Sequence, residues 1–216
     1  MPLPHATVRK CLDLEAVATR GEVEMNIVRD IVVIGAGLDG LSAIAKIAST
    51  WPEDLPVSVL IALTTPDQPA KNVLQIIDSY APIGVAFAIN NEPIEPGRIY
   101  ISPPGKHLSV GRFGVIRIDE PSFFDSVQPS VNRLFSAAAV VFGARVIGVI
   151  LSGNQYDGVQ GMKDIDAAGG ATIVQEPGDA SAPQMPRHIV QNDHPRYRVK
   201  ASEIEPLIRR LLFSET

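Results

Sequence analysis

Short apolar runs alternate along the chain with segments whose apolar residues recur at helical spacing. The runs are short, rich in β-branched residues and bounded by glycine or proline, which favours buried strands. They cover residues 31 to 34, 57 to 63, 83 to 89, 145 to 151 and 171 to 175. Between them, helices are predicted after residue 37, over 70 to 79, after Pro129 and over 159 to 168. Ser202 and Glu205 form a capping-box pattern that predicts the start of a last helix, with Ile204, Leu207, Ile208, Leu211 and Leu212 inward.

The stretch after Glu92 has a different texture, because several prolines interrupt it. Two strand-like runs, residues 98 to 102 and 113 to 118, flank a glycine-containing loop there and predict an antiparallel hairpin added to the sheet. Residues 1 to 26 mix prolines, charges and scattered apolar residues, which is typical of an extension. We therefore predict one folded domain over residues 27 to 216.

Alternating strands and helices with fully apolar strands predict an α/β fold: a three-layer, doubly wound and mostly parallel sheet with the added hairpin. Ligands of such sheets bind beyond the carboxyl ends of the strands, at a topological switch point. The turns that follow Ile34, Leu63 and Leu151 are therefore the first candidates for a functional site.

Composition narrows the function. A chain of 216 residues, 45% of them hydrophobic, can bury the core of such a domain. A net charge of −5 argues against a nucleic-acid partner, and the single cysteine, Cys11, excludes an internal disulfide. No run reaches the roughly 18 apolar residues of a membrane span, and no signal-peptide core opens the chain. The histidines His5, His188 and His194 lack metal-ligand spacing, so the sequence predicts a cytoplasmic protein without membrane insertion or a metal site.

The first turn reads Gly35-x-Gly37-x-x-Gly40, which fits half of the dinucleotide-binding fingerprint. The fingerprint also needs an acidic residue about 20 residues further on to hold the ribose, and the next strand ends in Thr64 instead. Asp39 would also repel a phosphate at this turn. We predict no cofactor, and an anion or nucleotide site at residues 35 to 40 stays an alternative.

Five motifs in order resemble the catalytic domain of the chemoreceptor protein-glutamate methylesterases, the CheB type. Residues 128 to 135, Gln-Pro-Ser-Val-Asn-Arg-Leu-Phe, resemble the family's Arg-Pro-Ser-Val-Asp-x-Leu-Phe. Residues 149 to 158, Val-Ile-Leu-Ser-Gly-Asn-Gln-Tyr-Asp-Gly, resemble its Ile-Leu-Thr-Gly-Met-Gly-x-Asp-Gly. The other three are the Pro-Gly to His segment at 95 to 107, the strand at 168 to 175 and Gln-Met-Pro at 184 to 186.

The resemblance implies a Ser-His-Asp triad, of which only the acid is matched, as Asp157. Gly37 stands at the nucleophilic serine and Thr64 at the histidine base. Around them, Leu38 replaces a threonine, Asp39 replaces a glycine, and Asn154 replaces the oxyanion-side methionine. The three triad positions are expected to lie close together at the carboxyl edge of the sheet.

Ester hydrolysis by such a triad needs a nucleophile and a base to take its proton, and neither Gly37 nor Thr64 can serve. We therefore predict a methylesterase-like domain that has lost esterase catalysis and acts as a binding or regulatory module, with a chemoreceptor-like or other signalling partner. The alternative is a weak carboxylic-ester hydrolase with a relocated catalytic group, for which Asp39, His107 and Ser152 are the candidates. The extension is too short for a receiver domain, so phosphorylation control in cis is not expected.

Overall fold

The computed structural model describes residues 28–64, 70–123, 125 and 127–212, and residues 1–27, which contain the predicted extension, lie outside them. The helices are α1 Leu41–Ala48, α2 Ala70–Tyr80, α3 Val131–Phe142, α4 Val159–Ala167, α5 Gln184–Asn192 and α6 Ala201–Leu212. The strands are β1 Ile31–Gly37, β2 Ser58–Thr64, β3 Gly84–Phe87, β4 Arg98–Ile101, β5 His107–Gly111, β6 Val115–Asp119, β7 Val146–Ile150, β8 Ala171–Gln175 and β9 Tyr197–Val199. No helix among the described residues combines the length and apolar character that crossing a bilayer requires.

Seven of these strands form one parallel sheet in the order β3-β4-β2-β1-β7-β8-β9. From β1 the chain first builds one half of the sheet, through β2 and β4, and then returns to the other side of β1 at β7. The switch point is therefore the gap between β1 and β7, and their carboxyl-end loops face each other there.

Helices cover both faces of the sheet, because its central strands are apolar on both sides. One core packs α1, α2 and α6 against the sheet through residues such as Ile44, Ile77 and Ile208. The other packs α3, α4 and α5 through Phe135, Ile165 and Ile189. The predicted three-layer, doubly wound α/β fold is confirmed.

The antiparallel hairpin exists, but the prediction of its strands was half wrong. It consists of β5 and β6, which form a separate two-stranded sheet packed on the α3 side of the core. The run at 98 to 102 is β4, which pairs in parallel with β2 and β3 inside the main sheet. Its side chains are buried between two layers, and the local sequence does not distinguish such a strand from half of a hairpin.

Two elements were not predicted, and one helix starts differently. The short strand β9 and helix α5 lie between β8 and α6. Helix α6 begins at Ala201, not at a Ser202 cap: Asp179 accepts the Ala201 N–H, and Glu203 accepts the Lys200 N–H. The apolar stripe predicted for this helix is buried as expected.

Candidate functional site

The carboxyl ends of β1 and β2 bring two of the three predicted triad positions side by side. Gly37, the last residue of β1, is paired with Thr64, the last residue of β2. Paired residues of parallel neighbours point to the same face of a sheet, and the face alternates along the strand. A Cβ on Gly35 would contact Val131 of α3, so Gly37 and the buried Thr64 also face the α3 side.

The β7–α4 loop, residues 151–158, packs directly on Gly37. The Gly37 N–H donates to the Ser152 carbonyl at 3.0 Å. A Cβ at position 37 would lie 2.9 Å from the Gly153 Cα and 3.0 Å from Oε1 of Gln155. A backbone atom at 2.9 Å cannot move aside as a flexible side chain can, so any side chain at position 37 requires a shift of this loop.

Gln155 is a site residue that sequence reasoning missed. Its Oε1 is buried beside Gly37 and has no hydrogen-bond partner within the described part of the chain. The signal was present in the motif at 149 to 158, because the family motif that this segment resembles has glycine where this chain has Gln155. Because Gly37 has no side chain, there is space beside the end of β1, and the Gln155 side chain occupies it.

Asn154 and Asp39, which are two further predicted departures from the family pattern, bond to each other across the switch point. Nδ2 of Asn154 donates to the Asp39 carboxylate at 3.1 Å, and the Ser181 hydroxyl donates to the Asp39 carbonyl at 2.9 Å. The β1–α1 turn is thereby tied to two loops, while Leu38 packs half-buried against the core on the α1 side. These bonds help to hold the β7–α4 loop over Gly37.

Asp157, the predicted match to the acid of the triad, caps a helix. Its buried carboxylate accepts the N–H of Val131 at 2.6 Å and of Asn132 at 3.3 Å, and also the N–H of Gly158 at 2.9 Å. The first amides of a helix have no partner inside the helix, and negative charge is favourable at that end. The carboxylate therefore stabilises α3 whether or not any reaction takes place.

His107 is fully buried, and both of its ring nitrogens have partners. Nδ1 accepts the N–H of Ser130 at 3.0 Å, so the ring proton lies on Nε2, which donates to Asp125 at 3.2 Å. The Ser122 amide chiefly, and His107 in addition, hold the pKa of Asp125 below its usual value. As a base, His107 would have to give up its bond to Ser130, the N-cap of α3.

Ser152 is buried, and its hydroxyl is also committed. Both its N–H and its O–H donate to Oε1 of Gln175 at 3.0 Å. The Gln175 amide donates in turn to Asp179 at 3.0 Å, which also accepts the Ala201 N–H at 2.8 Å. The Ala201 amide first, and Gln175 second, lower the pKa of Asp179. The Ser152 hydroxyl therefore donates to an amide oxygen, whereas a nucleophilic hydroxyl needs a base as its acceptor.

Gly37 and Gly40 allow the β7–α4 loop to pack closely against the first turn. A Cβ on Gly40 would lie 2.8 Å from the Ser152 carbonyl, as close as the contact of the Gly37 position with Gly153. Asp39 places a carboxylate in the same turn. Among the described residues, no three His, Cys, Asp or Glu side chains come together in a group that could hold a metal ion.

The fold and these positions define a doubly wound α/β protein whose candidate site lies at the switch point of a parallel sheet. A family model described as CheB methylesterase matches residues 32–208. The chain belongs to that family.

Two of the similar proteins illustrate the family, and both are named protein-glutamate methylesterase/protein-glutamine glutaminase. The Symbiobacterium thermophilum protein is 32% identical over 163 residues, which is 76% of this chain and 45% of that protein. The Nitratidesulfovibrio vulgaris protein, numbered 2 in that organism, is 36% identical over 168 residues, again 76% of this chain and 45% of that protein. The chain thus spans about half the length of these relatives.

The catalytic domain of Thermotoga maritima CheB methylesterase has a similar solved structure. It matches with a TM-score of 0.77 at 25% identity, over 85% of this chain and 97% of that domain. The match extends over most of the scaffold that carries the site.

Proposed function

We propose that this domain has lost ester hydrolysis and acts as a binding or regulatory module in signalling. The observation that carries the proposal is the packing at residue 37, where Gly153 and Gln155 stand against the position of a nucleophile side chain. The absence of a side chain and the closure of the space beside it are two obstacles to the same reaction.

The chemistry of the neighbouring groups supports the proposal. Acyl transfer needs a nucleophile, a base that takes its proton, and donors aimed at the developing oxyanion. Thr64 cannot act as a base near neutral pH, and both ring nitrogens of His107 already have partners. In a serine protease, removing the nucleophile or the base lowers kcat by about 10⁶.

The partner we propose is a chemoreceptor-like signalling protein, and the setting is the cytoplasm. The names of the relatives support this choice, because both identify protein glutamate and glutamine side chains as what those proteins act on. A module of this kind would still recognise the receptor segment while leaving its side chains unchanged.

The test compares this protein with an active methylesterase catalytic domain on a methylated receptor segment. We expect no methanol release and no ammonia release from this protein, together with saturable binding of the segment by calorimetry. Turnover by the purified protein that disappears in Ser152→Ala, His107→Ala or Asp39→Asn would instead establish a relocated catalytic group. If the unmodified protein neither binds nor turns over the receptor segment, the receptor is refuted as the partner.

A further inference from the structure

The two edge strands of the main sheet, β3 and β9, differ in how they are protected. An edge strand exposes unpaired backbone N–H and C=O groups, and natural proteins blunt such edges with charged side chains, proline or very short strands. Strand β9 has three residues, and the exposed cations Arg196, Arg198 and Lys200 lie in it and beside it. Strand β3 has no such charge, because residues 79 to 91 include no Asp, Glu, Lys, Arg or His. The unprotected edge of the sheet is therefore β3.

The free backbone groups of β3 belong to Val85 and Phe87. In a strand, the N–H and C=O of one residue point to the same side, and that side alternates from each residue to the next. The Ala88 N–H donates to the Ile101 carbonyl of β4 at 2.9 Å, so the even-numbered residues of β3 bond inward to β4. Val85 and Phe87 therefore point their N–H and C=O away from the sheet, where no other described strand pairs with β3.

The side chains of β3 suit a copy of the same strand. Val85 and Phe87 are half-buried and pack on the core that faces α1, α2 and α6. Ala86 lies between them on the opposite face and is small. A second copy of the strand would thus meet apolar side chains on one face, a small side chain on the other, and no like charge on either. This absence of repulsion matters most when both partners present the same surface, as they do around a two-fold axis.

We propose that β3 pairs in antiparallel fashion with the β3 strand of a second copy of this chain, about a two-fold axis beside Ala86. Val85 of one copy and Phe87 of the other then exchange both backbone hydrogen bonds, and the symmetry repeats this pair. Their side chains form apolar cross-strand pairs, which stabilise antiparallel strands. The two sheets become one continuous sheet, and the two carboxyl-edge sites face opposite ways.

This interface is separate from the carboxyl-edge site, because β4 and β2 lie between β3 and β1 in the sheet. Its test therefore does not depend on whether the domain hydrolyses esters. Sedimentation equilibrium of the full chain should show a reversible dimer, and a monomer at concentrations up to the millimolar range overturns the proposal.

Hydrogen exchange identifies the face through which the dimer forms. We expect the Val85 and Phe87 amides to exchange more slowly as the protein concentration rises and the dimer forms. A dimer in which these two amides exchange as fast as in the monomer uses another face, which also overturns the proposal. This measurement needs no substitution, so it holds even if a variant fails to fold.

A charge exchange at Ala86 makes the test specific, because the two Ala86 side chains face each other across the axis. Ala86→Lys and Ala86→Glu should each weaken the association at least about 10-fold, since like charges then stand directly opposite. An equimolar mixture of the two variants should associate again as a heterodimer, which also shows that both are folded. A mixture of folded variants that stays monomeric contradicts the pairing.

Val140→Lys is the matched control, because Val140 is an exposed apolar residue on α3, 86% accessible, and receives the same charge. This variant should form the dimer as the unmodified protein does. If Val140→Lys weakens the association as much as Ala86→Lys, only net charge matters and the proposal is overturned.

Discussion

The glycine at position 37 does two things through the lack of one side chain. On our proposal it removes the nucleophile of the family pattern, and it leaves room for Gly153 and Gln155 to pack against the end of β1. The second effect is a property of packing, so measurements of stability can test it separately from any assay of activity.

Gly37→Ser is expected to destabilise the protein by about 1–3 kcal/mol, the usual cost of forcing extra atoms into a packed interior. The measurement is the free energy of unfolding in urea. Gly84→Ser is the matched control, since a Cβ at Gly84 meets no atom within 4 Å. Equal stabilities of the two variants would mean that the loop yields freely at position 37.

The carboxylate of Asp179 should make the folded state sensitive to acid. The Ala201 and Gln175 hydrogen bonds lower its pKa in the folded protein, so it loses its proton more readily there than in the unfolded chain. Its contribution is complete above the unfolded-state pKa of about 3.9 and is lost as the pH falls through that value toward the lowered one. Unfolding in urea at a series of pH values should show a shallower loss below pH 4 in Asp179→Asn. An unchanged slope would contradict the assignment.

At the scale of the element, the N-terminus of α3 depends on residues from three parts of the chain. Asp157 accepts the amides of Val131 and Asn132, and His107 accepts that of Ser130. The Ser130 side chain accepts a further amide, that of Arg133. Asp157, the predicted acid, and His107, the histidine of the motif at 95 to 107, are thus parts of one helix cap.

Asp157→Ala should lower the free energy of unfolding by about 1–3 kcal/mol, because buried amides of α3 lose their acceptor. Urea denaturation monitored by circular dichroism measures the change. Asp78→Ala removes an exposed carboxylate and should change the stability by less than about 0.5 kcal/mol. An Asp157→Ala protein as stable as the parent would show that the cap contributes nothing.

The elements that the sequence predicted are those with a strong local pattern, such as β1, β2, β7 and α6. The errors arose where the partner decides the structure. The run at β4 is as apolar as a hairpin strand, and only its parallel neighbours β2 and β3 reveal its place. Strand β9 has three residues, and α5 contains Pro186 in its first turn, so neither shows a clear period. In the site, Gly37 and Thr64 followed from the family pattern, but the packing of Gln155 depends on a contact between distant turns.

At the scale of the whole molecule, the site is assembled from the ends of three parallel strands, and catalysis would require all of them to change together. Gly37→Ser with Thr64→His restores a nucleophile and a base but leaves the β7–α4 loop in place. Adding Leu38→Thr, Asp39→Gly, Asn154→Met and Gln155→Gly gives all three regions the residues of the family pattern at the positions that depart from it.

We expect hydrolysis of an activated ester above background only in the six-substitution variant. The reason is that the serine must have both a proton acceptor and free space around it. The assay compares both variants with the parent at equal folded concentration, verified by circular dichroism. Equal turnover by the two-substitution variant would show that the loop does not obstruct the site. A folded but silent six-substitution variant would contradict the account of the loop.

The cap of α3 shows that a residue that matches the family pattern is not by itself evidence of activity. Asp157 would be kept by selection for folding alone, since the buried amides of α3 need its carboxylate, and the same holds for His107 and the amide of Ser130. Counting matched catalytic positions therefore overstates the chance that a homologous chain is an enzyme. The positions that discriminate are those of the nucleophile and the base, which our alignment with the family pattern places at Gly37 and Thr64.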